Sequence, residues 1–189
     1  TNIITTNNFK YTLPSDVVRS DYSSAGPRDD GGIKPDISTV GTNVYYPSTS
    51  TATPNAWAGG SGTSFSAPVV TGIIGLWTQI NKQLFNNAEL NAASAKTLMV
   101  HSASEAGNVG PDPWFGWGFI NAKKGAELLV GKSNNSVIFN DETLTSGVMN
   151  TKTVRASGTE PLKVTISWID PEFNYPDQTI SDIYNNRIS

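Results

Sequence analysis

Apolar and small residues run almost unbroken through residues 65–81, FSAPVVTGIIGLWTQIN, and cover nearly every side of a 3.6-residue turn. Such a pattern predicts a central helix buried all round, with Gly72 and Gly75 letting neighbouring elements approach closely. A second helix is expected over residues 91–101, where Ala95, Leu98 and Met99 share a face. A third is expected over 122–130, with Asn121 as N-cap and Gly131 as the C-terminal stop. Before and between these helices, short strand-like runs alternate with Gly and Pro punctuation, which is the rhythm of an α/β domain.

Beyond residue 131 the helical signals stop. The run LKVTISWID, 162–170, alternates Leu162, Val164, Ile166 and Trp168 with Lys163, Thr165 and Ser167, so it reads as a strand with one face buried and one in water. SVIFN and KTVRAS read as weaker strands ahead of it, and together these runs predict the opening of an all-β domain. The expected division is therefore residues 1–131 and residues 132–189. No internal repeat or low-complexity linker separates the two.

Composition narrows the partners. The 189 residues carry a formal net charge of -3, which gives no electrostatic footprint for nucleic acid or an anionic membrane. No apolar run reaches the roughly 20 residues of a membrane-spanning helix, and TNIITTNNFK has neither the basic start nor the apolar middle of a secretory signal. With no cysteine there are no disulfides and no cysteine zinc sites. Abundant Asn, Thr, Ser and Gly with only 15% charged residues lean towards an extracellular protein.

The candidate chemistry lies where the first helix begins. In GGSGTSFSAPVV, residues 59–70, glycines surround a Thr63–Ser64 pair that leads straight into the apolar run. Helix N-termini have N–H groups without intrahelical acceptors, and the helix dipole adds partial positive charge there, so the place favours developing negative charge. If Ser64 attacks a carbonyl, its own N–H can donate to the oxyanion, and Gly62 lets a substrate backbone come close. The plain alternative is that Ser and Thr simply cap the helix. An esterase elbow, Gly-x-Ser-x-Gly, is not present, because Ser66 stands where its second glycine belongs.

GTSFSAP, 62–68, resembles the nucleophile motif of the subtilases, the subtilisin-like serine proteases. The resemblance continues upstream through DYSSAGPRDDGGIKPDISTVGTNVYYP and downstream through TLMVHSASEAG and FGWGFINAKKGAELL. EPLKVTISWIDPEF is similar to the first strands of a β-sandwich that follows the protease domain in some secreted bacterial subtilases. The implied fold is a partial subtilisin-like domain, a parallel sheet with flanking helices around a central buried helix, followed by a truncated β-sandwich. The implied activity is peptide-bond hydrolysis through an acyl-enzyme on Ser64, with Thr63 and Gly62 supporting the oxyanion. Protein or peptide is then the substrate, and a secreted or cell-surface bacterial location follows. A structural calcium is compatible with the family, without ligands that can be named here.

One difficulty comes with the resemblance. In subtilases the order is Asp, His, Ser, yet no histidine precedes Ser64, and the family's oxyanion asparagine also belongs upstream. The chain is thus expected to be a piece of a longer protease, inactive alone, with the missing N-terminal part of the same protease as its partner. The alternative is a non-catalytic pseudoprotease used as a secreted binding or scaffolding module. His101 falls in TLMVHSASEAG and is read as structural, while Asp36, Asp29 and Asp30 are read as turn residues. Asp141 with Glu142, and Asp170 with Asp182, are read as loop carboxylates rather than metal ligands. DPWFGWGF, 112–119, is read as core packing rather than an exposed recognition platform. Phe65 stands where the family commonly has methionine, so no thioether beside Ser64 can be oxidised. The full-length enzyme is accordingly expected to tolerate peroxide, and rapid loss of activity on peroxide treatment would count against this.

Overall fold

Trp77, 1% exposed, sits where the three helices meet, and its indole N–H donates to the Ala122 carbonyl at 2.8 Å. Around it close Leu98, Met99, Val100, Ile120 and Leu129, with Val70, Ile73 and Ile74 packed against them. The structure, a computed structural model, describes residues 2–3, 11–49, 56–159 and 161–169. In chain order the elements are β1 (Asn2–Ile3), a short 3-10 turn (Pro14–Asp16), β2 (Val17–Val18), β3 (Val44–Pro47), β4 (Trp57–Gly60), α1 (Thr63–Leu84), α2 (Ala92–Ser102) and α3 (Ala122–Ser133).

The class is mixed α/β, as expected, but no parallel sheet is present among the described residues. β1 pairs antiparallel with β2, and β3 antiparallel with β4, with Val44 opposite Gly60 and Pro47 opposite Trp57. These strands are two to four residues long and each pairs once with a strand close in sequence. Among the described residues, parallel contact is limited to a single bridge, Ser38 with Phe119, flanked by the antiparallel bridge of Ser104 with Phe119.

Helix α1 starts two residues earlier and ends three later than its apolar pattern predicts. It is not buried all round. Trp77 and Asn81 are its buried residues, whereas Ala67, Pro68, Thr71, Gly72, Gly75 and Leu76 form an exposed strip. The sequence pattern records that every side tolerates burial, and nothing among the described residues covers that strip. Close approach comes through a different glycine: a Cβ on Gly125 of α3 would run into the Trp77 ring, while one on Gly72 or Gly75 would meet nothing within 4 Å.

The other helices follow their signals closely. Asn91 caps α2 by accepting from the Ser94 N–H at 2.8 Å, and Ala95, Leu98 and Met99 are buried as their spacing predicts. Asn121 caps α3 by accepting from the Lys124 N–H at 2.9 Å. Gly131 does not stop α3, which continues to Ser133. It is buried against Val137, and Asn135 adopts φ 62° just past the end.

A second cluster joins Val17, Ala106 and Phe115, with Tyr11 and Phe119 alongside. The loop that places Phe115 is organised by Asp112, which is buried and accepts from the N–H groups of Asn108, Trp114 and Phe115 at 3.2, 2.8 and 2.8 Å. DPWFGWGF is therefore only partly core. Phe115 is buried, whereas Trp114 is 43% exposed beneath the Arg19 guanidinium, 4.5 Å from the ring.

The C-terminal strands expected from the pattern are not paired among the described residues. Residues 161–169 form no strand, and their polar side chains face the protein. The Thr97 and Ser167 hydroxyls share a hydrogen bond, Ser167 also donates to the Ala93 carbonyl at 2.7 Å, and Lys163 donates to the His101 carbonyl at 2.8 Å. Val164 and Ile166, 73% and 77% exposed, point away. Alternation gave the two faces, but it could not say that carbonyls and the Thr97 hydroxyl of α2 would recruit the polar one. Residues 170–189 lie outside the described residues, so Asp170 and Asp182 do too.

Packing of Trp77 against α3 gives a direct test. Gly125→Ala is predicted to lose about 3 kcal/mol by overpacking and regain about 1 kcal/mol of helix propensity, a net loss of about 2 kcal/mol. Gly72→Ala in this chain should gain stability instead, because its Cβ enters open space. Urea unfolding of the two variants checks both signs.

Candidate active site

The turn into α1 is built from backbone and glycine rather than from capping side chains. Gly62 is the N-cap, with φ 156°, and no side chain accepts from the first turn. Thr63 and Ser64 therefore occupy the first two helical positions, and both are exposed. The ordinary capping role open to them in sequence is not the one they take. Neither has a hydrogen-bond partner outside the helix among the described residues, so the exposed Ser64 stands at the positive end of a 22-residue helix, where the Phe65 N–H already donates to the Gly62 carbonyl at 3.1 Å.

Two close contacts hold this open turn. On one side the Gly62 N–H donates to the Gly41 carbonyl at 2.8 Å, and a Cβ on Gly41 would collide with the Ser66 side chain. On the other side Phe65, the residue after Ser64, lies against Gly60 so closely that a Cβ there would enter its ring. The Tyr46 ring covers Phe65 from β3, with centroids 5.4 Å apart and planes tilted by 35°. Ser66 Oγ is buried without a hydrogen-bond partner among the described residues.

The remaining candidates sit elsewhere and have local work. His101 lies in the last turn of α2, and its Nδ1 is 2.9 Å from the Thr165 hydroxyl. Burial first, then the positive charges of Lys163 and Lys124, pushes its pKa below the ordinary histidine value. Asp36 pairs with Lys34 and, at 3.5 Å, with Lys96 of α2. Its burial acts to raise its pKa, but the hydrogen bond and charge of Lys34, joined by Lys96, outweigh that and hold it below the usual carboxylate range. Asp30 accepts from the Gly32 N–H at 2.9 Å and pairs with Arg28, the turn role its composition predicts. Asp141 takes the Asn91 side-chain amide, and Glu142 pairs with Lys152. Among the described residues no three acidic or histidine side chains gather as a metal site. A cavity of about 170 Å³ lined by Val100, Glu105, Trp117 and Lys163, among others, includes no residue of the Ser64 corner.

With this geometry in place, comparison with known proteins settles the family. The Subtilase family matches residues 2–118, well over half the chain. The chain belongs to the subtilase family. Over 64 residues, 34% of this chain, it is 39% identical to the Neisserial autotransporter lipoprotein NalP of Neisseria meningitidis serogroup B, strain MC58, and the match covers 5% of that relative. It is also similar to the solved CspB protease of Clostridium perfringens, with 27% identity and a TM-score of 0.53 over 60% of this chain and 24% of that one. The chain thus spans only a small part of the relatives it matches. The exposed first turn of α1 lies within the residues matched to the family.

Sequence reasoning missed the buttressing of that turn. The close contacts at Gly41 and Gly60 are not announced by their own neighbours, and the contact of the Tyr46 ring, still 39% exposed, with Phe65 depends on a strand register that local sequence does not encode. It also missed that Thr165 and Ser167 would anchor a segment to α2.

His101 gives this subtilase chain a pH dependence. A depressed pKa means that its contribution is complete above the ordinary value near 6.5 and declines as pH falls through that value towards the lowered one, where the imidazolium meets Lys163 and Lys124. Urea midpoints measured from about pH 7.5 down to about pH 5.5 should fall more steeply for the wild type than for His101→Gln. Parallel curves would contradict the assignment.

Proposed function

We propose that this chain is the nucleophile-bearing portion of a serine endopeptidase. Ser64 Oγ forms a bond to the carbonyl carbon of the scissile peptide as its proton passes to a general base. Collapse of the tetrahedral intermediate breaks the C–N bond, the base returns the proton to the leaving amine, and water then cleaves the acyl-enzyme by the reverse sequence. The Ser64 N–H donates to the oxyanion, the Thr63 hydroxyl supports it, and Gly62 leaves room for the substrate backbone.

The observation that carries the reading is an exposed Ser64 on a first helical turn whose N–H groups no side chain occupies. His101 is engaged with Thr165, so it is not proposed as the base. The triad Asp and His and the oxyanion Asn are proposed to come from the preceding part of the same protease, packed along the exposed strip of α1. Residues 132–189 are proposed as the start of a C-terminal β-sandwich. Protein or peptide is the proposed substrate, and the similarity to a protein named as an autotransporter lipoprotein supports a secreted or surface location. Structural calcium remains compatible with family membership, and no ligand is proposed.

A fluorophosphonate probe should label Ser64 in the folded, full-length protein, and Ser64→Ala should abolish labelling and lower peptide hydrolysis by about 10⁶-fold. A folded, mature sample that does not label would favour the non-catalytic scaffolding module instead.

A further inference from the structure

We propose that Tyr46 is a positioning residue for Ser64, holding by aromatic packing a helix turn that a capping side chain would ordinarily hold. The assignment rests on the serine reading above.

An N-cap side chain secures a helix start by accepting from a first-turn N–H, and its loss lowers the stability of the helix. Here the N-cap is Gly62, at φ 156°, which has no side chain to offer and, lacking a Cβ, leaves the backbone freer than any other residue would. A turn of this kind frays unless something else fixes it, and the hydroxyl on its second residue would wander with it. Phe65 is the first side chain of α1 with a firm seat, and its seat has two walls. Gly60 forms one, admitting the ring only because it lacks a Cβ. Tyr46 forms the other.

Strand register explains why Tyr46 and not its neighbour takes this place. Tyr46 lies opposite Ala58 and Tyr45 opposite Gly59, so alternation puts Tyr46 and Gly60 on the same face of the β3–β4 pair. That face meets Phe65. Tyr45, on the other face, is 76% exposed. The Tyr46 hydroxyl makes no hydrogen bond among the described residues, so its ring is what it contributes. Because Ser64 and Phe65 are adjacent, any swing of the Phe65 ring into the space left by Tyr46 turns the backbone that carries the nucleophile and its N–H.

The test uses the full-length protease and the second-order rate of fluorophosphonate labelling, with the melting temperature measured in parallel. Tyr46→Ala is expected to label about 10- to 100-fold more slowly, the scale of a misplacement near 1 Å, while remaining folded at the assay temperature. In peptide hydrolysis the loss should fall in kcat rather than KM. Tyr46→Phe, which keeps the ring, should label at the wild-type rate. A merely structural role would lower the melting temperature without slowing labelling of the folded enzyme. Wild-type labelling by folded Tyr46→Ala, or equal slowing by Tyr46→Phe, would overturn the assignment while leaving the serine reading intact. Should Tyr46→Ala not fold, Tyr46→Leu carries the same expectation and the same contradiction. Failure of the wild type itself to label would overturn the serine reading and this assignment together.

Discussion

A helix whose N-cap is glycine gains no capping side chain there and has to be held at its start by other contacts. This constraint organises the serine-bearing part of the molecule. Gly62 leaves the first N–H groups without a side-chain acceptor, and the stability that a cap would supply has to come from packing. It comes from backbone and glycine on one side, through Gly41, and from aromatic contact on the other, through Gly60, Phe65 and Tyr46. Both glycines matter through what they lack, since either Cβ would push away the wall that holds the turn.

The far half of α1 makes this arrangement rigid. A 22-residue helix is about 33 Å long, and α1 is fixed by Trp77, seated on Gly125 of α3 and hydrogen-bonded to Ala122. The near half is clamped by the glycine and aromatic contacts, leaving one strip of small and apolar residues open. α2 serves two surfaces at once. Its apolar face completes the Trp77 core, while its carbonyls and the Thr97 hydroxyl hold the polar side chains of residues 161–169.

Much of this was legible in the chain. Three helices, the Asn121 cap and the buried face of α2 follow from local periodicity and from a side chain that acts on its own neighbours, while Asn91, read only as the start of α2, also caps it. The motif around Ser64 pointed to the right family and to an open helix start. Less legible were features set by distant contacts. Gly131 reads as a stop but is absorbed inside α3, because Val137 packs where its side chain would be. An all-round apolar α1 says what could be covered, not what is. LKVTISWID displays two faces without revealing which one α2 attracts. The buttressing of Ser64 by Gly41 and Tyr46 joins residues some twenty positions apart, beyond the reach of any local pattern.

The central claim is that the first-turn N–H of Ser64 is free in the resting protein and takes the negative oxygen when the hydroxyl reacts. Nitrogen-15 NMR of the full-length protease with and without a peptide boronic acid, which forms a tetrahedral anionic adduct on an active serine, reads this directly. The account predicts a downfield shift and slowed hydrogen exchange for the Ser64 amide on adduct formation. An adduct that leaves that amide unshifted and freely exchanging would contradict it.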